Sequence, residues 1–282
     1  MVNSWVVSME KSSFKAAMDA VVAGRACLLS YFGQIKHIEE KDKAAGLVSE
    51  ADRESEMLIK NMLAEAFPDY DFLGEETSYL DGDTNFQKSK KPRWILDPLD
   101  GTTNFVHGFP IFCISLALEI DGEIQLGIVD MPLLNQTFTA VKGEGAFCNG
   151  KKINVSKTKN FEQAFMSTGF VAESPEVLSE QLKIFEHFVW KARAIRRPGA
   201  AAYDLALIAS GVFDLYWEKN LKPWDSAAGL LLVKEAGGVV RTYENLDYHP
   251  FEKSLIAGNH TLVDLFQAEV KTVIKTTAKR NS

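Results

Sequence analysis

The run Trp94-Ile95-Leu96 stops in Asp97-Pro98-Leu99-Asp100 and continues as Gly101-Thr102-Thr103-Asn104-Phe105. Two carboxylates at i and i+3 are costly to bury at the end of an apolar segment, because a desolvated carboxylate loses its hydration unless something pairs with it. A hard divalent cation fits, since it takes oxygen ligands from carboxylates, carbonyls and water. The same aspartates could instead form a turn around Pro98. Upstream, Phe72-Leu73-Gly74-Glu75-Glu76 is another short apolar run ending in acids, and taken alone a solvated loop explains it. Downstream, Pro223-Trp224-Asp225-Ser226-Ala227-Ala228-Gly229 sets an aspartate before an apolar helical pattern. There a helix N-cap is an equal explanation, and the two roles can coexist. Together the three segments point to a metal site more specifically than any one of them.

The bulk of the chain is ordinary. Its 282 residues are 46% hydrophobic and 24% charged, enough for a large core in one domain or two fused ones. A net charge of −7 gives no general nucleic-acid footprint. Cys27, Cys113 and Cys148 are odd in number and set in apolar surroundings, so they read as buried thiols of a reducing compartment. The first ten residues are too short and mixed for a secretory segment, and no apolar run reaches the ~18 residues of a membrane span. The expected location is cytoplasmic, with no membrane partner.

Helical spacing predicts a helix over 12–32 and a second from Ser49, where Ser-Glu-Ala-Asp resembles a capping arrangement, to Phe67. Strands are expected at 94–96, 112–120, 124–129, 137–141 and, after the Asn149-Gly150 turn, 153–155. The second half alternates: strand 164–167, helix 177–190, strand 193–196, helix 200–210, strand 212–217, helix 225–236, strands 239–242 and 255–257, helix 260–275. Alternation implies layered α/β packing.

In this order and spacing, the segments DPLDGTTNF (97–105), Gly74-Glu75-Glu76 and Trp224-Asp225-Ser226-Ala227-Ala228-Gly229 resemble the signature of the inositol monophosphatase family, from about Ser12 to about Asn259. The resemblance implies a five-layer αβαβα sandwich, with residues 1–155 carrying most metal ligands and 156–282 carrying Asp225 and the substrate contacts. It implies hydrolysis of a phosphate monoester, most readily inositol 1-phosphate. Such reactions are very slow unaided, and Mg²⁺ can activate water, neutralise phosphate oxygens and stabilise the leaving alkoxide. Cations also resolve the conflict between an acidic protein and an anionic substrate.

By the same resemblance, two or three Mg²⁺ would share the site. Glu75, Asp97 and the Leu99 carbonyl would hold one, and Asp97, Asp100 and Asp225 a second. Glu75 and Thr102, the latter paired with Asp52, would orient the attacking water. Without the family, Asp52 is simply a first-turn helix acid. Gly101, Thr102 and Thr103 would cradle the phosphate. Asp100, Glu218, Asp225 and the backbone of the Gly199-Ala200-Ala201 loop, Ala201 above all, would meet the substrate's hydroxyls. Glu218 could otherwise be an exposed strand-end acid. Arg196 and Arg197 fit a surface or subunit contact better than a phosphate ligand, and His107 a structural role. Lys41 is a candidate early-loop lysine, though a solvated charge explains it equally.

Many relatives carry an acid or Asn in place of Gly46 and Ser or Thr in place of Ala200, so these departures bear on substrate choice. Rival substrates are fructose 1,6-bisphosphate, a nucleotide 3′-phosphate or histidinol phosphate, although the continuation Thr103–Pro110 favours the inositol type. A rival of another class is a transcription-associated, partner-binding factor. Lithium sensitivity and a homodimer are implied by the family alone.

Overall fold

The computed structural model describes residues 4–34, 38–40, 47–81, 89–170 and 174–278. Helix α1 (Ser4–Tyr31) precedes a two-stranded antiparallel ribbon, β1 (Ile38–Glu40) and β2 (Leu47–Ser49), and helix α2 (Glu50–Ala66). Strand β3 (Asp71–Gly74) and the short helix α3 (Glu75–Asp81) lead to β4 (Arg93–Asp100) and the one-turn α4 (Thr102–Val106). Strands β5 (Cys113–Ile120), β6 (Glu123–Met131), β7 (Gln136–Val141), β8 (Gly145–Cys148) and β9 (Lys151–Lys152) complete a seven-stranded sheet in sequential order. Here β3 lies parallel to β4, and each later pair is antiparallel.

The second half gives β10 (Phe165–Thr168), α5 (Pro175–Val189), β11 (Ala194–Arg196), α6 (Ala201–Ala209), β12 (Leu215–Lys219), α7 (Pro223–Glu235), β13 (Val239–Arg241), β14 (Ser254–Gly258) and α8 (His260–Ala278). Its five strands are ordered β11-β10-β12-β14-β13.

Strand alternation sorts the side chains into layers. From β4, Trp94 and Leu96 join Ala17, Leu28, Ile59 and Leu63 of α1 and α2 in one core. Ile95, one residue out of phase, faces the other way, into a core with α6, α7 and the inner face of the small sheet. The outer face of the small sheet packs Leu215, Trp217 and Ile256 against Phe188 of α5 and Phe266 of α8. The order is α1/α2, large sheet, α6/α7, small sheet, α5/α8: five layers, as expected. Nearly continuous apolar runs in β4, β5 and α7 follow from burial on both sides.

Four expectations need correction. Residues 153–155 form no strand, because Ile153 N–H bonds to Ala146 O (3.0 Å) and Val155 N–H to Ala236 O (3.1 Å), two partners on different elements. The 94–96 strand does not stop before the aspartates but runs through Asp100. Helix α7 begins at Pro223, two residues before Asp225, since proline is pre-set for a first helical position. Finally, Glu75 and Glu76 open a helix, not a loop. Gly46 and Lys41 lie outside the described residues. Among the described residues no helix is long and apolar enough to cross a membrane.

Candidate active site

Strand β4 contains the decisive irregularity. Asp97 pairs with Ser115 and Asp100 with Cys113, so three steps on β4 match two on β5. In an unbroken strand, residues three apart point to opposite faces; the extra residue of this bulge turns both carboxylates to the same one. That face looks toward the middle helices, because the Ser115 hydroxyl donates to Trp224 O of α7 at 2.9 Å. Pro98, which has no N–H to give a ladder, sits within the bulge.

The two carboxylates are anchored differently. Asp97 Oδ1 accepts the Leu99 N–H at 3.0 Å. Asp100 Oδ2 accepts the Ala202 N–H at 2.7 Å, at the start of α6, and lies 3.7 Å from the Cys113 thiol. Asp225 accepts the Lys222 N–H at 2.7 Å, closing the first turn of α7. The helix-start and ligand readings of Asp225 thus use one carboxylate whose other oxygen can serve elsewhere.

Burial and mutual repulsion dominate the electrostatics. Desolvation, then the charges of Glu75, Asp100 and Asp225, pushes the Asp97 carboxyl well above the usual range. Desolvation likewise raises Asp225 well above it, with Asp100 and Glu75 adding to the shift. Asp100 is pushed up to about 6, chiefly by burial, although backbone donors oppose the shift. The bulge, α3 and α7 therefore bring the four predicted acids within electrostatic reach of one another. Among the described residues, no group of three or more His, Cys, Asp or Glu side chains forms a ready-made metal cage. A cation here would need a carbonyl, water or phosphate oxygen to complete its shell. The donor chemistry is still that of a hard cation: clustered carboxylates and carbonyls whose repulsion a positive charge would relieve.

Thr102 opens α4, and its hydroxyl lies 2.8 Å from Asp52 Oδ1 and 3.1 Å from Leu99 O. Asp52 makes both of its expected contacts. Its Oδ2 accepts the Ser49 N–H (2.8 Å) and hydroxyl (2.5 Å), capping α2, while Oδ1 faces Thr102. Burial raises its carboxyl to about 6 against these donors. Gly101 has φ 95°, and a Cβ there would meet Ile111 O at 3.0 Å, so this bend demands glycine. Phe105 fixes the turn from behind, its ring 5.4 Å from Phe32 and 4.8 Å from Phe112. Thr103 is exposed on the same turn.

The second half contributes Glu218, on β12 and buried rather than exposed. The Tyr216 hydroxyl donates to it. Desolvation pushes its carboxyl up to about 7, with Asp100 adding to the shift and Tyr216 and Arg197 opposing it. Ala201 starts α6 beside Asp100, so its segment is tied to a predicted ligand. Arg196 is exposed, stacked 5.1 Å over Phe165, and His107 is exposed at the end of α4.

Sequence reasoning missed three residues. Asp204, buried on α6 near Glu218 and Asp100, was signalled by a lone acid in the apolar run Ala201–Ala209. Cys113 gave no sign of touching Asp100. Glu56 was legible in principle, standing four residues after Asp52 and hence on the same helix face.

The chain is similar to known proteins over nearly its whole length. A sequence model of the Inositol monophosphatase family matches residues 9–275. A fructose-1,6-bisphosphatase/inositol-1-monophosphatase of Aquifex aeolicus is 39% identical, covering 90% of this chain and 93% of its own. The Nus factor SuhB of Pseudomonas aeruginosa is also 39% identical, over 79% of this chain and 81% of its own. Among solved structures, an IMPase of Thermotoga maritima aligns with TM-score 0.82 and 35% identity, covering 93% of this chain and 97% of its own. The chain belongs to the inositol monophosphatase family.

Proposed function

We propose that this phosphatase hydrolyses a phosphate monoester, inositol 1-phosphate first among candidates, at the site formed by Glu75, Asp97, Asp100 and Asp225. The bulge at Pro98 supports this most directly: it turns two buried, mutually repelling carboxylates toward the middle helix layer. Glu75, Asp97 and the Leu99 carbonyl would hold one Mg²⁺, and Asp97, Asp100 and Asp225 another. Bound there, the cations would supply charge neutralisation for phosphate and leaving group.

The chain's own groups do the rest. Glu75 orients the attacking water by accepting a hydrogen bond from it. The Thr102 hydroxyl, whose proton is drawn toward Asp52 Oδ1 or Leu99 O, turns its oxygen lone pairs to that water. Gly101 and the first turn of α4 offer backbone N–H groups to phosphate oxygens. Glu218 accepts from a substrate hydroxyl, and the Ala201 segment lines the same side. The division of labour between residues 1–155 and 156–282, and a homodimer, belong to this proposal.

Phosphate release from inositol 1-phosphate, fructose 1,6-bisphosphate, a nucleotide 3′-phosphate and histidinol phosphate, each with and without Mg²⁺, tests the reading. Activity without Mg²⁺ would refute the metal assignment, and a hundredfold preference for a bisphosphate would refute the substrate. The name of the Aquifex aeolicus relative makes fructose 1,6-bisphosphate the substrate to test second. The SuhB relative supports a partner role as a further reading, tested by capture of RNA polymerase components from lysate.

A further inference from the structure

We propose that Glu56 is a positioning residue for Glu75, and that position 74 is glycine to leave it room; this rests on the metal-dependent reading above. Glu56 is 3% exposed on α2, one helical turn after Asp52. Its Oε2 accepts the Glu76 N–H at 2.8 Å. Its Oε1 accepts the Thr77 N–H at 2.7 Å and the Thr77 hydroxyl as well. Glu76 and Thr77 are the second and third residues of α3, whose first residue is Glu75.

The first N–H groups of a helix have no partner within it. Helix α3 has only seven residues, too few to hold its shape by its own bonds. A carboxylate from another helix therefore supplies what a local cap would, and its negative charge suits a helix start. On the next turn of α2, Lys60 Nζ reaches Thr77 Oγ1 at 3.4 Å and steadies the same joint.

Gly74 has no left-handed backbone that would require glycine. Its constraint is space. A Cβ there would stand 2.5 Å from Glu56 Oε2 and 2.6 Å from both Glu56 Cδ and a Phe72 ring carbon. Alanine would thus expel the carboxylate from the start of α3. One face of α2 keys three segments of the site: Asp52 the Thr102 turn, Ser55 the Pro98 carbonyl at 3.4 Å, and Glu56 the Glu75 turn.

The test uses the full chain with Glu56→Ala, Glu56→Gln and Gly74→Ala. Mn²⁺ binding is measured by electron paramagnetic resonance, alongside kcat, KM and thermal melting. In Glu56→Ala and Gly74→Ala, Mn²⁺ binding weakens about 10- to 100-fold. Their kcat falls while KM for the phosphate ester stays within about twofold. Glu56→Gln lies between, because its amide oxygen accepts one N–H but its NH₂ group cannot accept the other. A folded Gly74→Ala or Glu56→Gln protein that binds Mn²⁺ like the parent overturns the proposal, whatever its melting temperature. A parent that binds Mn²⁺ but releases no phosphate sinks the functional reading alone, leaving the positioning role to be judged on Mn²⁺ affinity. A parent that binds no Mn²⁺ sinks both.

Discussion

The ladder between β4 and β5 buries acids at both ends and treats them in opposite ways. At one end Glu119 stands directly across from Arg93, which grips its Oε2 through Nε (3.1 Å) and Nη2 (2.6 Å). At the other end Asp97 stands across from Ser115, with Asp100 beyond the bulge. Glu119 and Asp97 are about equally buried, at 1% and 2% exposure. Among the described residues, no Lys, Arg or His forms an ion pair with Asp97, Asp100 or Asp225, although such pairs form elsewhere in the molecule. A chain able to place a guanidinium beside a buried carboxylate did so where the pair is structural. At the bulge no such partner stands among the described residues, which fits the cation site proposed above.

Neutralising either end should break this comparison if it is wrong. Asp97→Asn lowers kcat about 10²- to 10³-fold, as losing a charge-stabilising group does. In the metal-free protein it does not lower the melting temperature, because the substitution removes a carboxylate that burial and its neighbours disfavour. Glu119→Gln should do the reverse, costing about 3–5 kcal/mol in denaturant melts by disrupting the Arg93 pair, with kcat per folded molecule retained. Equal effects of the two substitutions on melting would erase the distinction.

The metal-free protein sharpens the contrast through pH. Burial pushes the Asp52 and Asp100 carboxyls up to about 6 in the folded chain, and those of Asp97 and Asp225 well above the usual carboxylate range. Unfolded aspartates release their protons near pH 4, so between these values the folded chain binds more protons. The contribution of these groups to stability is therefore full below about pH 4 and lost as pH rises through about 6 and beyond. With a chelator present, the melting temperature should drop from about pH 5 to about pH 8, and excess Mg²⁺ should flatten that slope. A slope indifferent to Mg²⁺ would mean that the carboxylates do not bind it. The smallest effect is expected at Glu218→Gln: KM for a polyol phosphate rises about tenfold with little change in kcat, since a hydrogen bond to a charged group is worth about 1.5–3 kcal/mol. A tenfold fall in kcat at constant KM would instead place Glu218 in the chemistry.

Much of this was legible in the sequence, for physical reasons. The long elements carry strong periodicity, and the five-layer order follows from the family resemblance that the motifs support. The Ser49–Asp52 spacing announced its cap, and the resemblance added the Thr102 contact on the second oxygen. What escaped was decided by tertiary contact. The first turn of helix α3 is met by Glu56, some 20 positions earlier, and nothing within Glu75–Asp81 says so. Residues 153–155 are as apolar as any strand, but their backbone partners lie on two separate elements. The Cys113–Asp100 contact depends on a register shift, which no local pattern encodes.

That shift has a consequence for how the two strands must pair. Because a surplus residue lets two carboxylates three apart reach one side of the sheet, pairing β4 with β5 in regular register at the same length would hand one of them to the apolar layer beneath α1 and α2, whereas losing the surplus residue would keep both on one side but remove the turn around Pro98. How the two strands are paired therefore matters as much to the site as which residues the segment holds.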